Sequence, residues 1–427
     1  MSRQTDYLVG ALIWAALGAY FLRAYWGGWP LDLTALYFAG HFFHTGAFSE
    51  IYGTQDVFIW STPPEAWQDL ARQFDGPPGQ VMPYVYPPLW AGLMAPVTTV
   101  VGFPAFAKLV FALNLLCFAL IGLMVFDWAR RFPHADQLRF SLYSLLACGG
   151  LAVGNASNML LILGQPQVFV TALTVGAFWC AMRGRAISAG AILALAAALK
   201  LTPLLFVALF VFDRNWRAVA SFAVVGSVLA GASVLVAGWP LHQIFLDRLA
   251  IVQDSLLVSQ INLSLELGFY ELAALITGQA DLDIAHPYHL PRPGWTGVLA
   301  KLTLLAGAAL IWVLPRSRPP AERLFLRVLA FALLSILCAP LAWSHYLILP
   351  LVLLPGLLGL MPLPRAVALI ALPYAAFSAA MMVVLSDWGI VNSLSQIGGT
   401  LALLAAILWL CRQPTSEAFP APRPNLA

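Results

Sequence analysis

A chain of 427 residues that is 61% hydrophobic and 10% charged, with a mean hydropathy of +0.83, does not describe a soluble protein; it reads as a polytopic membrane protein. Its 22 Lys+Arg and 19 Asp+Glu leave a formal charge of +3, which offers no basic face for nucleic acid and no acidic tail. The five cysteines lie in apolar stretches without CxxC spacing, so they read as small packing residues and not as disulfides or metal ligands.

A spanning helix needs about 20 apolar residues. Windows of that kind run over 7–25, 104–126, 140–153 with its continuation, 159–182, 217–237, 295–314, 324–343, 345–361, 366–384 and 394–411. Two stretches are awkward: 187–213 is too long for one span and short for two, with Pro203 in its middle, and 86–101 opens on Tyr86-Pro87-Pro88. The positive-inside rule resolves both. Placing the arginine-rich turns DWARRF (127–132), RGR (183–185), DRNWR (213–217) and PRSRPPAER (315–323) in the cytoplasm, with Arg365 and Arg412, makes 187–213 a tight hairpin. Its tip, near Lys200-Leu201-Thr202-Pro203, then faces outward, and 86–101 becomes a short or re-entrant helix on the outer side. The expected architecture is all-α, with about 11–13 membrane helices by the length argument and two large extracytoplasmic loops, about 26–85 and 238–294, which hold most of the carboxylates. In the first loop, apolar positions 33, 36, 37, 40, 43 and 47 predict a helix lying on the membrane surface. No cleaved signal peptide is expected. Residues 1–412 read as a single integral-membrane domain and 413–427 as a disordered cytoplasmic tail. No two-fold repeat is visible, which argues against a transporter built from inverted halves.

Under this topology several polar groups converge on the outer face: Asp32, Tyr86, Asn155 and Asn158, Gln165, Lys200, Gln260 to Ser264, and Trp343-Ser344-His345-Tyr346. Asp32 follows the first span; it reads either as a helix N-cap or as a general base that takes a proton from an acceptor hydroxyl. The three lysines, 108, 200 and 301, all sit in apolar sequence, where a charge is costly. Lys200 is followed by a helix-breaking Thr-Pro, so its ammonium would meet freed backbone groups at headgroup depth, where a lipid phosphate lies; the competing reading is a snorkelling lysine. Lys108 and Lys301 have no such break beside them and fit snorkelling better. His345 reads as an aromatic-belt residue or a site residue, and His41 and His44, three apart, share a helix face but lack a clear third metal ligand. There is no phosphate loop, no GxGxxG after a strand, no HExxH and no cytoplasmic domain for a nucleotide, which makes ATP-driven transport and nucleotide-sugar chemistry poor fits.

Asp32 with ALYFAGHFFHTGAFSEIYG (35–53), YVYPPLWAGLMAPV (84–97), NMLLILGQPQVFVTAL (158–173), RAISAGAILALAAALKLTPLLF (185–206) and DRNWR resembles glycosyltransferase family 87. These are integral-membrane alpha-mannosyltransferases of the GT-C fold that use a polyprenyl-phosphate-linked sugar, among them mycobacterial phosphatidylinositol mannoside mannosyltransferases. The likeness runs in order from about 30 to 220 and resumes weakly at WSHYLILPL (343–351). It implies a bacterial inner-membrane enzyme whose donor head faces the extracytoplasmic side, with Asp32 as base and Lys200, Gln165, His345 and Tyr86 near the donor phosphate and sugar. His41, His44, Asn158 and Asn262 would lie toward the acceptor, a lipid or glycan. Where relatives often carry an Asn-Gln-Ser run, this chain has Gln260-Ile261-Asn262-Leu263-Ser264.

The chemistry fits the residue count. Cleaving an ordinary glycosidic bond takes two carboxylates, but a phosphate departs as a stable anion, so one base and a cation suffice. Neither metal nor cofactor is demanded, since lysine can stabilise the phosphate, and a single displacement would invert the anomeric centre. The rival readings are a lipid or sugar transporter or flippase, and an inactive scaffold of envelope assembly.

Overall fold

The structure, a computed structural model, describes residues 2–53, 62–278 and 286–413. Five of its helices are long and apolar enough to cross a membrane: Arg3–Tyr25, Phe103–Ala129, Trp216–Asp254, Gly294–Ser317 and Ile390–Arg412. Eight shorter apolar helices stand beside them among the described residues, including Pro88–Val100, Phe140–Val153, Gln167–Met182 and Ala186–Leu199. The hairpin expected over 187–213 forms, and 86–101 is a single short helix begun by Pro88, whose fixed φ and missing N–H suit a first helical turn.

Breaks fall where the sequence supplies them. The window 159–182 is interrupted: the Asn155–Leu163 helix ends on Gly164 in a left-handed conformation (φ +68°), and Gln167–Met182 restarts after Pro166. Pro350 and Pro355 turn 345–361 into a mixture of 3-10 and α turns. Gly238 (φ +74°), two residues before Pro240, kinks the 39-residue Trp216–Asp254 helix.

The segment expected outside the membrane over 238–294 carries secondary structure among its described residues: past the Gly238 kink the helix continues to Asp254, and an antiparallel pair follows, Ser255–Val258 against Tyr288–Pro291, with Leu265–Ile276 helical between them. One expectation is corrected: the helix over 33–47 does not lie on a surface. Leu31–His44 buries nine of its fourteen residues, and Ala35, Phe38 and Phe42, outside the expected stripe, are as enclosed as Leu33 and Tyr37. It is a protein-embedded helix: Gly40 lies so close to Pro88–Val100 that a Cβ there would fall 2.5 Å from that of Met94. Tyr37 and Phe38 pack with Trp67, Phe74 and Phe103 at ring separations of 5.4 to 6.5 Å.

The centre of the bundle is Pro320–Leu337, buried on every side from Leu324 to Leu337. Its charges are paired. Arg327, 2% exposed, donates to Asp213 Oδ1 at 2.5 Å and to the carbonyls of Ile311 and Trp312 at 3.2 and 2.6 Å. These bonds tie DRNWR to the two helices on either side of the PRSRPPAER turn, Gly294–Val313 and Pro320–Leu337. An uncompensated buried charge is costly, so Asp213→Ala is expected to destabilise the fold by about 3 kcal/mol, read as a lowered melting temperature in detergent, with Asp213→Glu recovering most of it.

Candidate active site

The N-terminal end of the embedded helix carries Asp32, and its side chain does not cap that end. Pro30 is the N-cap, no side-chain cap bond forms, and Asp32 is the second helical residue. The carboxylate, 7% exposed, instead accepts a hydrogen bond from the Gln165 carboxamide N–H. That contact depends on the helix break. Gly164 brings its chain against Pro30, where a Cβ would lie 2.5 Å from the Pro30 Cβ and 3.0 Å from the Leu33 Cβ, and the left-handed turn carries Gln165 over Asp32. Tyr86 is buried on the far side of the amide, its hydroxyl 3.5 Å from Gln165 Oε1.

Lys200 arrives from the hairpin tip. The Ala186–Leu199 helix stops at Lys200, which is extended (φ −151°, ψ 133°), and Trp90 of the YPPLW segment donates to the freed carbonyl of Ala198 at 2.6 Å. This bond couples the Tyr86 segment to the lysine. The ammonium lies 4.1 Å from the centre of the Tyr346 ring, a cation–π contact, and acts electrostatically on Asp32 and His345. Asp32 lies outside the candidate membrane spans. Burial is the main influence on its carboxyl and pushes it up to about 6, against the opposing pull of the Gln165 bond and the Lys200 charge.

His345 is buried next to Tyr346, with its ring parallel to Trp343 at 6.5 Å and its Nε2 without a hydrogen-bond partner. Its turn is held by the outer segment: Ser344 N–H donates to Ile261 O at 2.9 Å and Leu263 N–H to Ala342 O at 2.7 Å. Asn262 belongs to this framework. Fully buried, it donates to Leu257 O and accepts from Ser264 N and Ala342 N. Asn158 likewise serves the backbone, donating to the carbonyls of Ala152 and Gly154 and accepting from the Tyr25 hydroxyl. His41 and His44 stand toward the far end of the embedded helix, about 14 and 18 Å along its axis from Asp32 at 1.5 Å per residue; His41 is half-buried and His44 exposed. Thus Asp32, Tyr86, Gln165, Lys200 and His345 are gathered; Asn158 and Asn262 lie beside the His345 turn with their amides engaged by the backbone, and His41 and His44 stand at the other end of the helix from Asp32.

Tyr346, which the sequence offers only as part of Trp343-Ser344-His345-Tyr346 and without a role of its own, joins the cluster. Its signal was present in WSHY, where a tyrosine next to a histidine at a span end supplies the ring that a headgroup-depth cation stacks on. Lys200 and Tyr346 are half-buried as whole residues, and Asp32 is buried.

The family model described as Glycosyltransferase family 87 matches residues 84–340, well over half of the chain. Tyr86, Asn158, Gln165, Lys200 and Asn262 fall inside that match, and Asp32, His41, His44 and His345 outside it. The chain is also 28% identical over 372 residues to a polyprenol-phosphate-mannose-dependent alpha-(1-2)-phosphatidylinositol mannoside mannosyltransferase of Mycobacterium tuberculosis, covering 82% of this chain and 79% of the relative. With the helical bundle and its apolar spans, the match identifies this chain as a multi-pass membrane glycosyltransferase of GT-C architecture, belonging to glycosyltransferase family 87.

Proposed function

We propose that this enzyme transfers a hexose, mannose in the first instance, from a polyprenyl phosphate to a lipid or glycan acceptor on the extracytoplasmic side of a bacterial inner membrane, with residues 1–412 as one catalytic domain. The observation that carries this reading is a buried carboxylate, Asp32, hydrogen-bonded to Gln165 and within electrostatic reach of Lys200, whose ammonium lies over the Tyr346 ring, although Asp32 and Lys200 are 168 residues apart in sequence. Asp32 takes the proton of the acceptor hydroxyl as its oxygen attacks the anomeric carbon. The bond from that carbon to the phosphate oxygen breaks, and the phosphate keeps the electron pair beside the Lys200 ammonium. One displacement inverts the centre, so a beta-linked donor gives an alpha-linked product. Gln165 orients the carboxylate, Tyr86 holds Gln165, and His345 lies on the donor side. Lys200 beside the phosphate would serve the charge-stabilising role that a metal ion otherwise fills.

The test is incubation of the purified protein with radiolabelled polyprenyl-phosphate-mannose and extracted envelope lipids. Label moving into a new lipid or glycan supports transfer. Label that only changes leaflet in proteoliposomes would favour a flippase, and label unchanged in both assays would leave a scaffold.

Gly164 provides an independent check. A side chain there must adopt a left-handed backbone, at about 1–2 kcal/mol, and would press on Pro30 from 2.5 Å. Gly164→Ala is therefore expected to reduce transfer by about tenfold, the equivalent of about 1.4 kcal/mol, and Gln165→Ala by a similar factor. Rates measured side by side check this; an unaffected Gly164→Ala enzyme would mean that the Gln165 contact does not set the carboxylate's position.

A further inference from the structure

The Ala186–Leu199 helix ends at the residue that carries the site's cation. The last carbonyls of a helix lack partners within it, and here the chain goes on through Leu201 into the 3-10 segment Thr202–Phe206, not into a further α turn. Lys200 N–H closes the final turn on Ala196 O at 3.1 Å. The carbonyl of Ala198, two residues before the lysine, is taken by a side chain from another segment, the indole N–H of Trp90 at 2.6 Å. A freed carbonyl at a helix end otherwise turns to water or to a tighter 3-10 bond, and either would redirect the residues that follow it.

Trp90 can hold that carbonyl because its own backbone is braced. It is the third residue of the Pro88–Val100 helix, and its N–H donates to Pro87 O at 3.2 Å. The Tyr84 hydroxyl donates to Pro87 O at 2.7 Å and accepts from Ala91 N–H at 3.1 Å, and the Tyr52 hydroxyl donates to Tyr86 O at 2.8 Å. Both tyrosines are buried, with ring centres 5.3 Å apart. Lys200 is the opposite case. A flexible four-carbon stem carries its ammonium, and the contact with the Tyr346 ring at 4.1 Å has no fixed direction. Where the ammonium stands therefore depends on where the backbone leaves the helix, the point that Trp90 holds.

We propose that Trp90 is the positioning residue for Lys200: its indole N–H fixes the helix end that carries the lysine and so holds the ammonium at the departing phosphate. The proposal rests on the reading of the site given above, with Lys200 beside that phosphate. It makes the YPPLW segment serve both sides of the reaction, Tyr86 toward the Gln165 amide that holds the base and Trp90 toward the cation. A role in packing alone would need the Trp90 ring and not its N–H, and the two are separable.

The test uses the full-length protein in detergent. Trp90→Phe keeps an aromatic ring and removes the donor; replacing Trp90 by benzothienylalanine keeps both fused rings and removes only the donor. Both changes are expected to lower kcat for transfer from radiolabelled polyprenyl-phosphate-mannose by about tenfold, the effect of one hydrogen bond to a carbonyl, and to move the donor KM less. In the Lys200→Met protein the same changes should cost less than about twofold, because the residue they position is gone. The pH profile gives a readout that packing would not move. Lys200, Tyr86 and Tyr346 are the titratable groups that act on Asp32, and the lysine favours its ionised form, so an ammonium that drifts from its place should shift the rising limb of the rate to higher pH. A benzothienylalanine enzyme with the wild-type rate and limb overturns the proposal, as does a loss equally large in the Lys200→Met protein. Retention of undecaprenyl phosphate, followed by native mass spectrometry, is read without turnover. It should weaken by about tenfold in both Trp90 proteins and no further when Lys200→Met is added; undiminished retention overturns the proposal. A wild type that transfers no label yet shows this loss would sink the glycosyltransferase reading and leave the coupling of Trp90 to Lys200 standing.

Discussion

Asp32→Asn is expected to lower sugar transfer by about 10³-fold with the protein still folded in detergent. The substitution keeps the shape of the side chain and an oxygen that accepts from Gln165, so the packing behind it survives. What it removes is the ability to take a proton. The same carboxyl predicts the pH profile. Burial holds it near 6, so below that value it is protonated and idle, and the rate should climb as pH rises through about 6 and then level off. An exposed aspartate would place that limb about two units lower, near 4. Lys200 contributes to the position of the limb by favouring the ionised form, so a Lys200→Ala enzyme with residual activity should show it at higher pH. Turnover unchanged in Asp32→Asn would dismiss Asp32 as the base, and a limb near 4 would mean that the carboxylate works in a wetter setting than the one seen here.

How much of this was legible beforehand depends on what each residue costs. The long spans were plain because 20 apolar residues without a break have few other uses, and Phe103–Ala129 and Ile390–Arg412 lie close to their windows. Lys200 stood out for the opposite reason, as a charge in apolar sequence with a helix-breaking proline three residues on. The embedded Leu31–His44 helix was misread because aromatic residues on every face leave a stripe visible whichever face is drawn. The two-stranded sheet was hidden because Ser255–Val258 is four residues continuing an apolar helix, with its partner more than 25 residues away. Asn158 and Asn262 look like site residues in a string of letters. In the fold their amides are already engaged with backbone carbonyls and N–H groups. The tail expected over 413–427 lies, apart from Gln413, outside the described residues.

Lys200→Met is expected to lower kcat by about 10²-fold or more and to disturb the fold little. Methionine fills the same apolar stem, so the Ala186–Leu199 helix end and the Trp90 bond to Ala198 lose no packing. The loss should fall on kcat more than on the donor KM, because the phosphate gains negative charge at its bridging oxygen only as the sugar leaves. Lys200→Arg restores the charge but spreads it over a planar fork, which must find room beside the Tyr346 ring now 4.1 Å from the ammonium. It should therefore recover part of the rate, and Tyr346→Leu, which removes the ring and leaves the charge, should cost less than Lys200→Met. A snorkelling lysine predicts a different series: all three variants would turn over at the wild-type rate and differ only in melting temperature. If instead the donor KM rose with kcat untouched, Lys200 would hold the ground-state phosphate without easing its departure, and the leaving-group stabilisation would have to come from elsewhere in the cluster, with the unpartnered Nε2 of His345 the nearest group to examine.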